Sequence, residues 1–471
     1  MKGTRLLVAV ATLSLLASFG GGAPSRAMET GVFGEPGSSF PLKRILRASD
    51  AETGDVFGNS VSVSGNVAIV GAYWEDGGAG GTLIDPGAAY IFLRNRTGVD
   101  QWGQAMKLTA SDAQSQDWFG ESVSVSGNYA IVGASLESGG GGDPLSGAGA
   151  AYVFWRDQGG PSNWGEVQKL TAPDADAGDR FGRSVAIHGN TAIVGAYKEG
   201  GGPADPADEA GAAYVFQNVS GYGWLPIKIL RASDLQATDQ FGVSVAIFGD
   251  IAIVGAHHVP GGPGDLIPDA GAAYIFERNQ DGTNNWGQVA KLVAQDPGPS
   301  DYFGSSVAIS GKLAVVGAPG EDGGPGDPFL VAGAAYVFEN LSGSVWAQIS
   351  KLTASDAEAG SQLGTSVSIS GGVTMVGVYR DDGGPGDPLP QAGAAYVFMR
   401  HLGGPNAWGQ AKKLTAPDAA SGDAFGRAVA ISGKNAVVGA LGEDGGVGDP
   451  INSPGAAYVF YVSLLEAFKA N

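Results

Sequence analysis

Residues 119–134 read Phe-Gly-Glu-Ser-Val-Ser-Val-Ser-Gly-Asn-Tyr-Ala-Ile-Val-Gly-Ala, and this stretch decides the fold. Its first half alternates small polar with branched apolar residues at period two, which predicts a β-strand, strand A. Gly127-Asn128 predicts a tight turn into a second strand, strand B, over 129–134. The stretch therefore predicts a β-hairpin that begins at a Phe-Gly pair.

The same hairpin occurs seven times along the chain. Successive anchor pairs lie 60 or 62 residues apart. The anchors are Phe57-Gly58, Phe119-Gly120, Phe181-Gly182, Phe241-Gly242, Phe303-Gly304, Leu363-Gly364 and Phe425-Gly426. A fixed period filled with short strands indicates a repeat architecture.

Two more strands complete each unit: strand C, as at 149–154, and strand D, as at 164–171. A lone four-stranded unit cannot bury both of its faces, so neighbouring units must stack. Seven such units predict an all-β fold, a seven-bladed β-propeller with four antiparallel strands per blade. The serine-rich A strands suit the crowded positions around the central channel.

The last copy lacks its own D strand, because nothing of that pattern follows residues 455–460. Six D strands carry a Trp followed six residues later by Leu, as in Trp164 and Leu170. Residues 40–46 have the same spacing, with Phe in place of Trp. We therefore expect the N-terminal strand to complete the last blade and close the ring.

Composition and the chain ends predict an exported protein. A basic start at Lys2 and Arg5, an apolar run and small residues before Ala27 are typical of a secretory signal. The chain has no Cys, so stability must come from the core and from ring closure. We expect a secreted or cell-surface monomer, with no membrane span after signal removal. The predicted segments are a signal peptide (1–27), a flexible tail (28–37), the propeller (38–463) and a C-terminal tail (464–471).

The phrases Phe-Gly-x-Ser-Val, Val-Gly-Ala and Gly-Ala-Ala-Tyr-Val-Phe resemble FG-GAP repeats over about residues 40–463. Those repeats form the propeller head of integrin α subunits and occur in exported bacterial proteins, which this chain resembles more closely. The resemblance implies a binding or cell-adhesion role. Integrin-type repeats hold calcium in a loop between strands A and B, but here that position holds short turns such as Ser126-Gly127-Asn128. That calcium site is therefore not carried over.

Acidic residues dominate the loops on one predicted face of the propeller. The formal net charge of −20 makes nucleic acid an unfavourable partner. Six of the seven D–A connections carry two Asp residues five positions apart, such as Asp112 and Asp117. Two interpretations stay open: turn chemistry, in which Asp accepts backbone hydrogen bonds, and calcium binding. Calcium is the one cofactor considered, and its candidate ligands in the B–C loops are Glu321, Asp322, Asp327, Asp381, Asp382, Asp387, Glu443, Asp444 and Asp449.

No catalytic motif occurs in the chain, so we expect it not to be an enzyme. His257-His258 is the one unusual titratable cluster, and Asp265 or Asp269 beside it suggests transition-metal binding as a minor alternative. The tryptophans of the D strands are predicted to pack in the core. The alternative is that they are exposed platforms on which sugar rings stack. The candidate ligand-face residues are Tyr73, Trp74, His257, His258 and Arg380.

The sequence thus predicts an exported, non-enzymatic binding module that presents an acidic loop face to a protein or glycan at a cell surface. One alternative is a multivalent carbohydrate-binding lectin, and another is a hydrolase or lyase that uses the central pocket. Specificity is expected where the copies disagree. The B–C loops at 198–210 and 257–270 depart furthest from their neighbours.

Overall fold

A computed structural model describes residues 39–463 except 78–81, 139–144, 201–208, 263, 265, 281, 323–328, 383–388 and 445–451. The predicted signal peptide and both predicted tails lie outside the described residues. The described part contains β-strands and no helix. In chain order the strands are β1 (Leu42–Leu46), β2 (Ser60–Ser64), β3 (Val67–Ala72), β4 (Ala88–Arg94), β5 (Trp102–Leu108), β6 (Ser122–Ser126), β7 (Tyr129–Ala134), β8 (Ala150–Trp155), β9 (Gly165–Leu170), β10 (Phe181–His188), β11 (Thr191–Ala196), β12 (Ala212–Val219), β13 (Gly223–Leu230), β14 (Ser244–Phe248), β15 (Ile251–Ala256), β16 (Ala272–Glu277), β17 (Gly287–Leu292), β18 (Ser306–Ser310), β19 (Leu313–Ala318), β20 (Ala334–Ser342), β21 (Val345–Leu352), β22 (Ser366–Ser370), β23 (Val373–Val378), β24 (Ala394–Arg400), β25 (Trp408–Leu414), β26 (Phe425–Ser432), β27 (Asn435–Ala440) and β28 (Ala456–Tyr461).

The strands form seven antiparallel four-stranded sheets, which confirms the predicted seven-bladed β-propeller. Blades 1 to 6 each use four consecutive strands in the order A, B, C, D. They are β2–β5, β6–β9, β10–β13, β14–β17, β18–β21 and β22–β25. Blade 7 has the order β1-β28-β27-β26, so its D strand comes from the start of the chain.

The N-terminal strand closes the ring as the residue spacing predicts. In the register of β1 against β28, Leu46 lies opposite Ala457. Leu46 is 2% exposed and belongs to a core cluster that also holds Phe57 of blade 1 and Val459 of blade 7. The junction between the chain's two ends is therefore an apolar core like that between any other two blades.

Close contact between blades explains the small residues near the channel. A Cβ added at Gly71 would lie 2.0 Å from the carbonyl oxygen of Gly120 in the next blade, so no larger residue fits. The B strands are sandwiched between neighbouring blades, and all six residues of β3 are buried. This burial explains why strand B is a continuous apolar run rather than an alternating one.

The Phe-Gly anchor joins each blade to the one before it. The Phe119 backbone N–H donates to the carbonyl oxygen of Pro86 in blade 1 at 3.0 Å. Its ring packs edge-on against Tyr152 and Phe154, with centroids 5.5 and 6.0 Å away. Blade 6 has Leu363 at this position and lacks these ring contacts. Burying an aromatic or leucine side chain stabilises by about 1.5–3 kcal/mol, so the seven anchors are a main part of the core.

Candidate functional site

The antiparallel strands sort the connections onto two faces. We call the face with the B–C loops and the D–A connections the loop face, and the face with the A–B turns and C–D loops the turn face. The loops and connections of the loop face hold most of the 47 acidic residues of the chain. The loop face therefore carries most of the candidate functional groups.

A four-residue ionic network recurs at the loop face of the blades. In blade 5, Lys351 Nζ donates to Glu321 Oε1 at 2.7 Å and to Asp296 Oδ2 at 2.9 Å. The Tyr336 hydroxyl donates to Asp296 Oδ1 at 3.0 Å. Glu321 is 1% exposed, so its charge requires the lysine as a partner. Equivalent carboxylate–cation pairs at the Glu321 position are Glu75 with Lys107, Glu137 with Lys169, Glu199 with Arg231, Asp381 with Lys413 and Glu443 with Arg47.

The candidate calcium ligands are therefore divided between two structural roles. Glu321, Asp381 and Glu443 are buried members of the ionic networks. Asp322 and Asp382 close their loops, because each accepts a backbone N–H at 2.7 Å, from Val331 and Gln391 respectively.

Three further candidates, Asp327, Asp387 and Asp449, lie outside the described residues. Asp444 is described and has partners of its own. Within the described part of the chain, no group of three or more His, Cys, Asp or Glu side chains is placed to hold a metal ion. Calcium binding by these loops stays a prediction.

The paired aspartates of the D–A connections have different partners. The first, such as Asp112, accepts the Tyr152 hydroxyl and the Lys169 ammonium, each at 2.7 Å. The second, such as Asp117, accepts the Gln114 backbone N–H at 2.6 Å and closes the turn. Burial raises the pKa of Asp117 to about 6. Asp117 therefore has the contact that the turn-chemistry interpretation expects, whereas Asp112 belongs to the ionic network.

Blade 4 departs from the network. Val259 stands where other blades have a buried acid, is 4% exposed and packs into the core. Lys291 keeps its pairing with Asp234 at 2.6 Å. The adjacent His257 and His258 pack edge to face with ring centroids 4.4 Å apart, and both rings contact Tyr302.

The two histidines lie in different hydrogen-bonded environments. His258 Nδ1 lies 2.8 Å from Asp269 Oδ1. His257 Nε2 lies 3.0 Å from Gln240 Oε1, and the Gln240 amide donates to Glu209 at 3.0 Å, which sets the orientation of that amide. His257 therefore donates from Nε2 and leaves Nδ1 as an acceptor. Burial lowers the pKa of His257 to about 3, so the ring is neutral and weakly basic.

The residue after each Phe-Gly pair (Leu-Gly in blade 6) is the feature that sequence reasoning missed. These seven residues lie at the loop-face ends of the A strands, at one end of the channel. The residue type at this position differs between every two neighbouring blades. We call them the mouth ring: Asn59, Glu121, Arg183, Val243, Ser305, Thr365 and Arg427. Six of them line the channel cavity of about 220 Å³, and Arg427 follows the same anchor in blade 7. Serines and valines of the A strands, with Ala428 in blade 7, line the rest of the cavity.

Tyr73, Trp118 and Tyr379 lie on the loop face and are called the aromatic rim; Tyr379 contacts the mouth ring through Arg427. Tyr73 packs against Trp74 and Trp118, with centroids 5.2 and 5.6 Å away. Tyr379 lies under two guanidinium groups, those of Arg380 at 5.3 Å and Arg427 at 5.5 Å. The candidate residues Tyr73, Trp74, His257, His258 and Arg380 all follow strand B of their blades. The structure therefore places them on the loop face around the channel.

The repeated tryptophans are core residues, as expected. Trp102, Trp164 and Trp286 are each 1% exposed, and Trp224 is 2% exposed. Trp408 is 9% exposed, and Trp346 is partly buried against a core cluster. Their faces are not available for stacking on sugars. No helix among the described residues is long and apolar enough to cross a membrane.

Comparison with known proteins agrees with the observed blades. A family model described as FG-GAP repeat matches residues 42–92, 102–154, 164–216, 224–276, 286–338, 346–398 and 408–460. Each match starts on a D strand and ends on the C strand of the next blade, so the sequence repeat is offset from the structural blade by one strand. A search of curated proteins found no significant match.

Proposed function

The chain belongs to the FG-GAP repeat family, and from that membership we propose that it is an exported, non-enzymatic binding module whose loop face contacts a protein or glycan outside the cell. The observation that carries the proposal is the mouth ring. The repeated residues are used in blade contacts, whereas the residues that differ between blades gather at one end of the channel. A binding site needs such unlike groups at one place.

The electrostatics of the loop face support a selective interaction. Its outer loops are acidic and attract cations or basic groups, while they repel anionic surfaces. The half-buried Tyr73 and the 42% exposed Trp74 supply an apolar contact area beside the channel. Aromatic side chains of this kind dominate binding energy in many interfaces.

The alternatives are less well supported by the side-chain positions. A lectin with seven equivalent sites would need a repeated exposed aromatic platform, but the described repeated tryptophans are mostly buried. A hydrolase or lyase that used His257 would need this residue as a base near neutral pH, whereas burial lowers the pKa of His257 to about 3. Both observations favour a single binding site without catalysis.

The test compares two tryptophans of similar exposure on opposite faces. Trp74 lies on the loop face at 42% exposure, and Trp155 ends a C strand at the turn face at 37% exposure. The mature protein and its Trp74→Ala and Trp155→Ala variants are applied to a glycan array and to intact cells of the source organism. We expect Trp74→Ala to lose the binding that Trp155→Ala keeps.

Stoichiometry separates the binding module from the lectin. About one ligand per chain agrees with a site at the mouth, whereas about seven per chain favours the lectin. Equal binding by both variants would contradict the assignment of the loop face. Export is tested separately, by comparing the location of the chain with and without residues 1–27.

A further inference from the structure

The mouth ring concentrates positive charge at the centre of an acidic protein. The formal net charge is −20, and most lysines and arginines of the loop face lie in ion pairs. The mouth ring has two arginines, Arg183 and Arg427, and one acid, Glu121. Two positive charges against one negative charge leave the ring with a net charge of about +1.

Glu121 is only partly available to either arginine. Its Oε1 lies 3.5 Å from Arg183 Nη1, and its Oε2 accepts the Ser135 hydroxyl. The Glu121 side chain is 11% exposed, and that of Arg183 is 37% exposed. The Arg183 guanidinium therefore keeps donors that face the channel.

Arg427 has no oxygen acceptor for its guanidinium among the described residues. Its side chain is half-buried and lies over the Tyr379 ring at 5.5 Å. Burial lowers the pKa of Arg427, and the neighbouring Arg183 lowers it further. Two guanidinium charges at one end of a partly desolvated channel repel each other, and an anion that contacts both relieves the repulsion.

We propose that Arg427 and Arg183 together bind the carboxylate of a small ligand, whose body lies against the aromatic rim at the channel mouth. This inference deepens the proposed binding function and rests on it. The planar guanidinium fork matches a carboxylate in a bidentate geometry. A ligand with several negative charges is disfavoured, because the ring carries only about one net positive charge and the surrounding loops are acidic.

The rim sets the shape of the ligand. Tyr73 with Trp118 on one side and Tyr379 on another present ring faces and edges, on which a flat apolar group packs. The channel cavity of about 220 Å³ admits a group about the size of one sugar ring or one amino-acid residue. Two sources therefore share the chemistry, a uronic acid and an acidic amino-acid side chain.

The experiment is calorimetric titration of the mature protein with glucuronate, and separately with N-acetyl-aspartate amide, at low ionic strength. Glucose, asparagine in the same capped form, and inorganic phosphate are the matched probes. We expect saturable, millimolar binding of at least one carboxylate at a stoichiometry of about one, with no binding of its neutral counterpart. The probe that binds identifies the source of the carboxylate.

Two variants locate the site. Arg427→Gln should weaken carboxylate binding at least tenfold, and Arg183→Gln should do the same if Arg427→Gln fails to fold. Arg44→Gln, at an exposed position of β1, removes the same charge far from the mouth and should bind as the unaltered chain does. Circular dichroism checks that each variant is folded.

Failure of this inference is distinguishable from failure of the proposed function. If the unaltered chain binds cells or glycans through Trp74 but neither carboxylate, the inference is overturned and the binding module stands. Equal carboxylate affinity in Arg427→Gln, Arg183→Gln and the unaltered chain would also overturn it. Tighter binding of phosphate than of either carboxylate would refute the expectation that the mouth ring disfavours ligands with several negative charges.

Discussion

The Ser184 hydroxyl of blade 3 donates a 2.8 Å hydrogen bond to the carbonyl oxygen of Gly242, in the anchor pair of blade 4. The equivalent hydrogen bond joins five other pairs of neighbouring blades. The donors are Ser60, Ser122, Ser244, Ser306 and Ser366. The seventh junction, from blade 7 to blade 1, has Ala428 at the serine position, so the carbonyl oxygen of Gly58 receives no such bond. This missing bond lies between blade 7, which holds both terminal strands, and blade 1.

Ala428→Ser should therefore stabilise the ring. Ala428 pairs with Gly439, and a Cβ added at Gly439 would lie 1.9 Å from the Gly58 carbonyl oxygen, much as in the other blades. The new hydroxyl should contribute about 1 kcal/mol to the free energy of unfolding. Ser184→Ala is the matched reverse change and should cost about the same. Chemical denaturation measures both, and an unstabilised Ala428→Ser would mean that the seventh junction differs in geometry from the rest.

Removal of the closing strand should open the propeller. Deletion of residues 38–50 removes β1, the buried Leu46 and the Arg47 partner of Glu443. The exposed edge of β28 and the uncovered core of blade 7 should then lower the thermal midpoint sharply or prevent folding. Deletion of residues 28–37, predicted to lie outside the propeller, is the control. Unchanged thermal stability after deletion of 38–50 would contradict closure by the N-terminal strand.

Removing the cation of an ionic network should lower the free energy of unfolding more than replacing the buried acid with an apolar residue. Lys351→Met leaves Glu321 buried without its cation, and we expect a loss of about 2–3 kcal/mol, since Lys351 is itself partly exposed. Glu321→Val copies Val259 of blade 4 and should cost less, because Lys351 keeps Asp296 as Lys291 keeps Asp234. Denaturation of both variants decides between them. If Glu321→Val lost more free energy of unfolding than Lys351→Met, the carboxylate of Glu321 would itself stabilise the blade, and this would contradict the expectation.

The turn-closing aspartates should make the protein more stable at mildly acidic pH. Burial raises the pKa of Asp55 to about 7 and that of Asp117, Asp179, Asp301 and Asp423 to about 6. Between about pH 4 and these values the folded chain holds protons that the unfolded chain releases. The free energy of unfolding should therefore fall as the pH rises through this window.

The test is the thermal midpoint as a function of pH. Asp117→Asn keeps an acceptor for the Gln114 N–H and should flatten the pH dependence while raising stability near neutral pH. Glu166→Gln, which removes the same charge from β9, is the control for the change in net charge. A midpoint that rises steadily from acidic to neutral pH would mean that these carboxyls are ionised in the folded state.

The closing strand and the blade count could be predicted because each depends on local patterns: alternation, turn residues and the spacing of Trp to Leu. The partners of the acidic residues could not. Tyr152 and Asp112 are 40 positions apart in the chain and meet only when the connection between β5 and β6 folds against strand C of blade 2. The spacing of the Asp pairs is visible in the sequence, but the spacing does not show that one Asp binds a tyrosine and the other closes a turn.

The mouth ring is hard to predict from the sequence, because the largest differences between the copies lie in the long B–C loops. Each of its members is a single position inside the most repeated motif, where Arg427 and Glu121 look like tolerated variation. When the seven repeats are aligned, the position after Phe-Gly varies in charge and size, and this variation is the sequence feature that indicates the mouth ring. Its meaning depends on radial stacking, which brings that column to one end of the channel.

The most direct test of the central claim, that the repeats build a frame and the mouth ring holds the ligand, is a crystal structure of the protein soaked with glucuronate or N-acetyl-aspartate amide. The account predicts electron density for one ligand per chain, with its carboxylate between Arg427 and Arg183 and its body against the Tyr73 and Trp118 side. Density confined to other places, such as repeated sites between the blades, or an empty mouth at saturating ligand would contradict it.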